Sequence, residues 1–374
     1  MRIVSVMIAA AMLGACSGHS FQSFFSSGEQ YLAKGQYPEA VIQFQNAARA
    51  DPQSSDAQMR LGQAYAALKD PTNAAAAYER ACALDASNKT ACIEAASQFL
   101  ALGEFDRAAG EARTVLNADH DNLDAQLILA SALTGVRRFA DAEDRVAAAL
   151  AVDPNSARAY FALGEIQRQR GNALAAEASL LKAIALDPSS SEARVTLAQL
   201  YFDTDRFADG ERQLRAALES KPKDLAANKL YASFLNETDR CEDAEPYWLN
   251  VAAQSPDGSG VIALADYYMS SGRPDDALRV LQPMTVGKRD EGSLAKSRVA
   301  AILYDRGERA KASDVIDGLL TEEPSNVDGL VLKARMSLGD SDVAHAREYA
   351  HRAASMAPNA AAVREVLAAI DSDR

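Results

Sequence analysis

Residues 154–188 read PNSARAYFALGEIQRQRGNALAAEASLLKAIALDP. Two prolines 34 residues apart bracket the stretch, and between them lie Gly164, Gly171, Ala176 and the bulkier Leu180. The spacing continues in both directions. Pro52, Pro154, Pro188, Pro222, Pro256, Pro324 and Pro358 fall on one 34-residue lattice, which takes seven of the twelve prolines in the chain. The unfilled lattice points hold Ala86, His120 and Asp290, each expected in a turn. A strict period of this length marks an array of helix–turn–helix units.

The rest of each unit keeps phase. With Pro52 as position 32, position 20 reads Ala40, Ala74, Ala108, Ala142, Ala176, Gly210, Ala244, Ala312 and Ala346. Position 8 is equally small, from Gly28, Gly62, Ala96, Ala130 and Gly164 to Ala334. Small residues belong where two helix backbones cross closely. Large ones stand beside them: Phe44, Tyr78, Leu180, Leu214 and Trp248 at position 24, and Tyr31, Tyr65, Phe99 and Tyr201 at position 11. Alternating sizes give an interlocking layer. Gly35, Gly103, Gly171 and Gly307 at position 15 stop the first helix of a unit, where a left-handed residue costs least. Pro38 and Pro71 open second helices, where a missing N–H does no harm.

This pattern resembles the tetratricopeptide repeat (TPR) family over residues 21–360. The resemblance implies an all-α, right-handed superhelical solenoid of about ten repeats. The eighth repeat slips by one residue, since Leu264, Ala265, Tyr268, Gly272, Pro274 and Ala277 fit a frame starting at 258. Residues 361–374 put Val363, Val366, Leu367 and Ile370 on one helical face, as a capping helix would. Around Pro283 the turn proline is lost, and residues 282–292 are expected to form a longer loop and a hinge.

The first twenty residues are a different object. Arg2 precedes an apolar run from Ile3 to Leu13, too short to span a bilayer permanently. The run ends Leu13-Gly14-Ala15-Cys16, which resembles a bacterial lipobox. That resemblance implies a signal peptide over 1–15, lipidation of Cys16, and attachment facing the periplasm. Ser17 after the cysteine implies the outer membrane. Residues 16–20 would then be a tether of about 15–18 Å at most. Phe21, Phe24 and Phe25, just beyond it, either pack the first helix pair or touch the membrane interface.

Chemistry is sparse. The net charge of −13 argues against nucleic acid and against an anionic surface as ligand. His345 and His351 lie six apart on one helix, about 240° around it, so they cannot share a ligand there. Neither a metalloprotease, a nucleophile-elbow nor a phosphate-loop motif is present. The sequence points to no enzyme, no cofactor, no metal and no small-molecule substrate. Cys82 and Cys92 meet across a short turn between helices, which admits either a disulfide or two buried thiols. Cys241 has no evident partner.

Within the TPR resemblance, the first helix of each repeat lines a groove through positions 2, 5, 9 and 12. Position 5 reads Phe25, Met59, Ile93, Leu127, Phe161 and Val195 over six repeats. Position 9 reads Glu29, Gln63, Ser97, Ser131, Glu165 and Gln199. An apolar row beside a polar one suits an extended or helical peptide, although position 5 also suits plain packing between helices. A clamp for acidic C-termini would need Lys and Asn along these rows, and only Lys229 falls on position 5. The implied function is a membrane-anchored scaffold for protein partners in the cell envelope. The phrase from Glu39 to Ala47 is similar to TPR lipoproteins of exopolysaccharide export. Pilus or secretin assembly, and modulation of a cell-wall enzyme, are the alternatives.

Overall fold

The computed structural model describes residues 20–238, 240–285 and 290–372. The lipobox, Cys16 and most of the tether therefore lie outside the described residues. Within them the chain is helical and forms no strand. It divides into two compact units, one ending at Gly210 and the other beginning at Glu211.

The first unit contains α1 (20–33), α2 (Tyr37–Ala50), α3 (Ser55–Ala67), α4 (Pro71–Leu84), α5 (Lys89–Ala101), α6 (Phe105–Ala118), α7 (Leu123–Gly135), α8 (Phe139–Val152), α9 (Ala157–Gln169), α10 (Ala173–Leu186) and α11 (Ser191–Phe202). The boundary falls inside α12 (Phe207–Ser220). The second unit holds α13 (Leu225–Glu237), α14 (Cys241–Gln254), α15 (Ser259–Ser270), α16 (Pro274–Leu281), a 3₁₀ turn (Gln282–Thr285), α17 (Asp290–Asp305), α18 (Arg309–Glu322), α19 (Val327–Gly339), α20 (Val343–Met356) and α21 (Ala361–Ser372). Consecutive helices pair within each unit, as α3 with α4, α9 with α10, α13 with α14 and α19 with α20.

Each pair is fixed by short-range chemistry at its ends. Ser54, Asn88, Asn122, Ser156, Ser190, Asp224 and Asn326, all on the 34-residue period, cap first helices by accepting a backbone N–H three residues on. Each such cap is worth about 1 kcal/mol. First helices end in a left-handed residue. Gly35, Gly103, Gly171 and Gly307 take φ of 71°, 74°, 86° and 78°. At the same position Lys69 (59°), Arg137 (62°), Asp205 (58°) and Ser341 (63°) adopt it despite their Cβ atoms. The left-handed region costs a non-glycine residue about 1–2 kcal/mol. Lys69→Gly and Arg137→Gly are therefore each expected to raise stability by about 1 kcal/mol, read as a higher denaturation midpoint in urea. An unchanged or lower midpoint would contradict this account of the turn.

Between the helices, position 20 is closed: Ala40, Ala74, Ala108, Ala142, Ala176, Ala244, Ala312 and Ala346 are wholly buried. At position 8, a Cβ on Gly28 would stand 2.6 Å from the Phe44 ring, and one on Gly164 would stand 2.7 Å from Leu180. The small and large positions thus touch each other directly. The last helix, α21, buries Val363, Val366 and Ile370 against α19 and α20 and exposes its other side.

Two expectations need correction. The register slip enters inside α15. Its N-cap, Gly258, stays on the lattice, but the left-handed Gly272 follows after 14 residues instead of the 15 that separate Ser54 from Lys69. Asp290 also does not sit in a turn; it opens α17. Of the stretch expected to form a loop and hinge, Gln282–Thr285 is a 3₁₀ turn and the residues from Asp290 belong to α17. The remaining stretch, 286–289, lies outside the described residues.

Candidate functional site

First helices of successive repeats contact one another: α5 with α7, α7 with α9, and α9 with α11. The face they share carries the predicted apolar row. Phe25, Met59, Ile93, Phe161 and Val195 are half-buried there. Phe25 stacks on Phe21 at 5.5 Å and meets Phe44 edge-on at 5.7 Å, so it packs the first helix pair. Leu127 departs from the expected exposure. It is only 6% exposed, held in the main core cluster with Ile128 and Leu129.

Leu127 and Phe161 nonetheless converge on one cavity of about 640 Å³ between α7 and α9. Ile128, Ala162 and Ile166 complete an apolar floor, while Ser131, Arg158, Glu165 and Glu192 stand among its polar walls. Its size falls within the usual range for a ligand pocket. The structure thus brings Leu127, Phe161 and Glu165 of the predicted groove together. Met59, Ile93, Gln63 and Gln199 lie along the same face on other helices.

The polar row is already engaged. Arg60 pairs with Glu29 at 2.8 Å and donates to Gln63 at 2.8 Å. Arg168 pairs with Glu165 at 3.1 Å, and Arg158 with Asp124 at 2.6 Å. Gln199 donates to Asp203 at 2.8 Å, and the Ser97 hydroxyl donates to the Ile93 carbonyl at 2.8 Å. These pairs hold long side chains in place beside the apolar floor. Exposed pairs of this kind add at most about 1 kcal/mol each.

A second constellation escaped the sequence reading. Glu177, Glu211 and Glu245, all at position 21, each meet an arginine from the next repeat: Arg206 at 2.7 Å, Arg240 at 3.0 Å and Arg273 at 2.6 Å. A tyrosine hydroxyl donates to each glutamate at 2.8 Å, from Tyr201, Tyr231 and Tyr268 respectively. Burial and the neighbouring carboxylate push the Tyr201 and Tyr268 hydroxyls up to about 12. Hydrogen bonds from Arg273 and then Tyr268 hold Glu245 below the ordinary carboxylate range. The arginine and glutamate lie 29 residues apart in two of the three pairs and 28 in the third, so they meet only when repeats stack. They fasten consecutive repeats.

Cys82 and Cys92 form a disulfide between α4 and α5, with Cα atoms 4.9 Å apart. Closing so short a loop is worth about 3 kcal/mol in the chain-entropy account. Glu111 approaches the pair, and the three groups' ligand atoms lie within 4.8 Å of one another. With both sulfurs in the disulfide, no thiolate is available to a metal. Burial, and then Glu79, push the Glu111 carboxyl above its ordinary range. Cys241 is a free, half-buried thiol. His345 bonds to its helix cap Asp342 at 2.7 Å, a local structural contact. No helix among the described residues is long and apolar enough to cross a membrane.

The outer clefts between second helices repeat themselves. Arg113, Leu116, Leu133 and Arg138 line one, and Arg215, Leu218, Leu235 and Arg240 line another at the same repeat positions. They follow from stacking in general, whereas the cavity between α7 and α9 is built from the groove rows.

The described residues are helical repeats, and parts of the chain match tetratricopeptide repeats. Residues 26–89 and 129–191 match one profile described as tetratricopeptide repeat, and residues 167–234 match a second with the same description. Among solved structures, a tetratricopeptide repeat protein from Parabacteroides merdae is similar over 67% of this chain and 99% of its own, at 18% identity and a TM-score of 0.57. A thermophilic TPR protein from Thermus thermophilus is 28% identical over 49% of this chain and 99% of its own, with a TM-score of 0.45. PilF of Pseudomonas aeruginosa is 25% identical over 57% of this chain and 96% of its own, with a TM-score of 0.41. No curated protein matches the sequence.

Proposed function

We propose that this chain is a lipid-anchored, periplasm-facing scaffold that holds a segment of a partner protein in the groove of its first unit. The cavity between α7 and α9 carries the reading. It sets an apolar floor beneath fixed polar walls, as side-chain pockets and backbone contacts for a peptide require. The lipobox-like Leu13–Cys16 supports the anchor. The Glu39–Ala47 phrase supports an envelope machine for exopolysaccharide export as the setting. The role is recruitment rather than catalysis.

Photo-crosslinking from native envelopes tests this. Reactive residues belong at Met59, Phe161 and Glu165, since Leu127 is too buried to report. A defined envelope partner captured at these sites, and lost on Phe161→Asp, is the expected result. Crosslinks only from exposed residues of second helices, such as Leu174, would move binding to the outer surface. Metabolic labelling with palmitate, abolished by Cys16→Ala, tests the anchor separately.

A further inference from the structure

We infer, resting on the groove reading above, that the first unit selects a partner segment in which lysine or arginine alternates with bulky apolar residues. The face is built from positions 2, 5, 6, 9, 12 and 13 of the first helices α1, α3, α5, α7, α9 and α11. The last position of the sixth repeat, Asp203, falls just past the end of α11. Those positions hold seven carboxylates, Glu29, Asp56, Glu94, Asp124, Glu165, Glu192 and Asp203, against three guanidinium groups, Arg60, Arg158 and Arg168. Each guanidinium is already committed, Arg60 to Glu29, Arg158 to Asp124 and Arg168 to Glu165. The carboxylates are therefore in surplus. Asp56, Glu94 and Glu192 have no ion-pair partner among the described residues. Glu192 stands at the rim of the cavity floored by Leu127 and Phe161.

Charge complementarity and the apolar row then act together. Apolar side chains of the partner enter between Phe161 and Leu127 and beside Met59, Ile93 and Val195. Cationic side chains reach Asp56, Glu94 and Glu192. Adjacent packed helices lie about 8–10 Å apart. An extended chain of three residues per turn rises about 9 Å in a turn, so every third partner residue meets a new apolar step. An acidic segment would face repulsion at Asp56, Glu94 and Glu192, which gives selectivity as well as attraction.

The test uses the full chain and two fluorescent fifteen-residue peptides. One carries leucine at every third position with lysine between, and the other carries glutamate in place of lysine. Fluorescence anisotropy is expected to show the lysine peptide binding at least tenfold more tightly at low salt, weakening as salt screens the carboxylates. The double variant Glu94→Lys with Glu192→Lys, both exposed or half-exposed and outside the core, should lose about tenfold for the lysine peptide and gain for the glutamate one. Phe161→Ala should weaken the lysine peptide severalfold without altering the helical circular dichroism.

Equal binding of the two peptides, or no response to the charge reversal, would overturn the inference. Charge dependence with no response to Phe161→Ala would also overturn it, since that is diffuse attraction to an acidic surface. A crosslinked partner whose captured segment is acidic would sink the charge selectivity and leave the scaffold reading intact. No capture at the groove at all would remove both.

Discussion

Gly62→Leu is expected to destabilise the array by about 3 kcal/mol, with Gly62→Ala following the same direction at about 1 kcal/mol. A Cβ on Gly62 would lie 2.6 Å from both Cδ1 and Cε1 of Tyr78 and 2.9 Å from its Cγ. Cγ does not move when the ring turns about its own axis, so relief needs another χ1 rotamer inside a closed site or a shift of α4. Tyr78 is itself 3% exposed, among Ala74, Ala75 and Ala81. Inserting carbon into so closed a site costs about 1–3 kcal/mol, occasionally more. The better helix propensity of alanine returns about 1 kcal/mol, which is why that substitution is the milder one. Gly110 supplies the control. It lies within α6, and a Cβ there meets nothing within 4 Å. Gly110→Ala should therefore stabilise by about 1 kcal/mol, through propensity alone. Because each repeat leans only on its neighbours, the loss in Gly62→Leu should concentrate in repeats one to three. Urea unfolding gives the size, and amide hydrogen exchange gives the place. Equal effects at Gly62 and Gly110 would refute the interlock.

That interlock was legible because it is local. Gly62 and Tyr78 are separated by 16 residues within one repeat, and the period repeats the pair until it stands out from noise. The proline lattice was legible for the same reason. The left-handed turn could be read only where glycine marks it. Lys69 and Arg137 adopt the same backbone, but nothing in a lysine or arginine announces a positive φ. The slip itself is legible in the eighth repeat, but not the point inside α15 where it enters. Glycine at 258 and glycine at 272 each fit a turn, and only the helix between them shows which side lost a residue. The groove was half legible. Periodicity placed Phe161 and Leu127 on one face, but it could not tell that Leu127 is nearly closed off while Phe161 stays half-exposed. Nor could it show that arginines at neighbouring positions already occupy Gln63 and Glu165. The Glu–Arg–Tyr fasteners were invisible, since their members come together only across the stacking of two repeats.

Those fasteners carry the second large expectation. Glu211→Ala should cost about 2–3 kcal/mol, measured at neutral pH. The Glu211 side chain, 18% exposed, accepts from Arg215 at 2.7 Å, from Tyr231 at 2.8 Å and from Arg240 at 3.0 Å. Tyr231 is almost fully buried and its hydroxyl would keep only Arg215, at 3.0 Å. Hydrogen bonds to a charged group contribute about 1.5–3 kcal/mol each. Arg215 and Arg240 are substantially exposed, so solvent screens their share and the total stays near one such bond. The pH dependence follows from the carboxylate. Burial alone would raise its pKa, but donors from Tyr231, Arg240 and Arg215 outweigh burial and hold it below the ordinary glutamate value. The folded state therefore binds its proton less readily than the unfolded chain. The stabilisation is complete above the unfolded pKa of about 4.3 and is lost as pH falls through the lower folded value. Glu245, lowered by Arg273 and Tyr268, adds in the same direction. Melting temperatures of the parent and of Glu211→Gln with Glu245→Gln should differ most at neutral pH and converge in acid. A gap that stays constant from pH 7 to pH 3 would show that these glutamates fasten the repeats by shape and hydrogen bonding alone, without their charge.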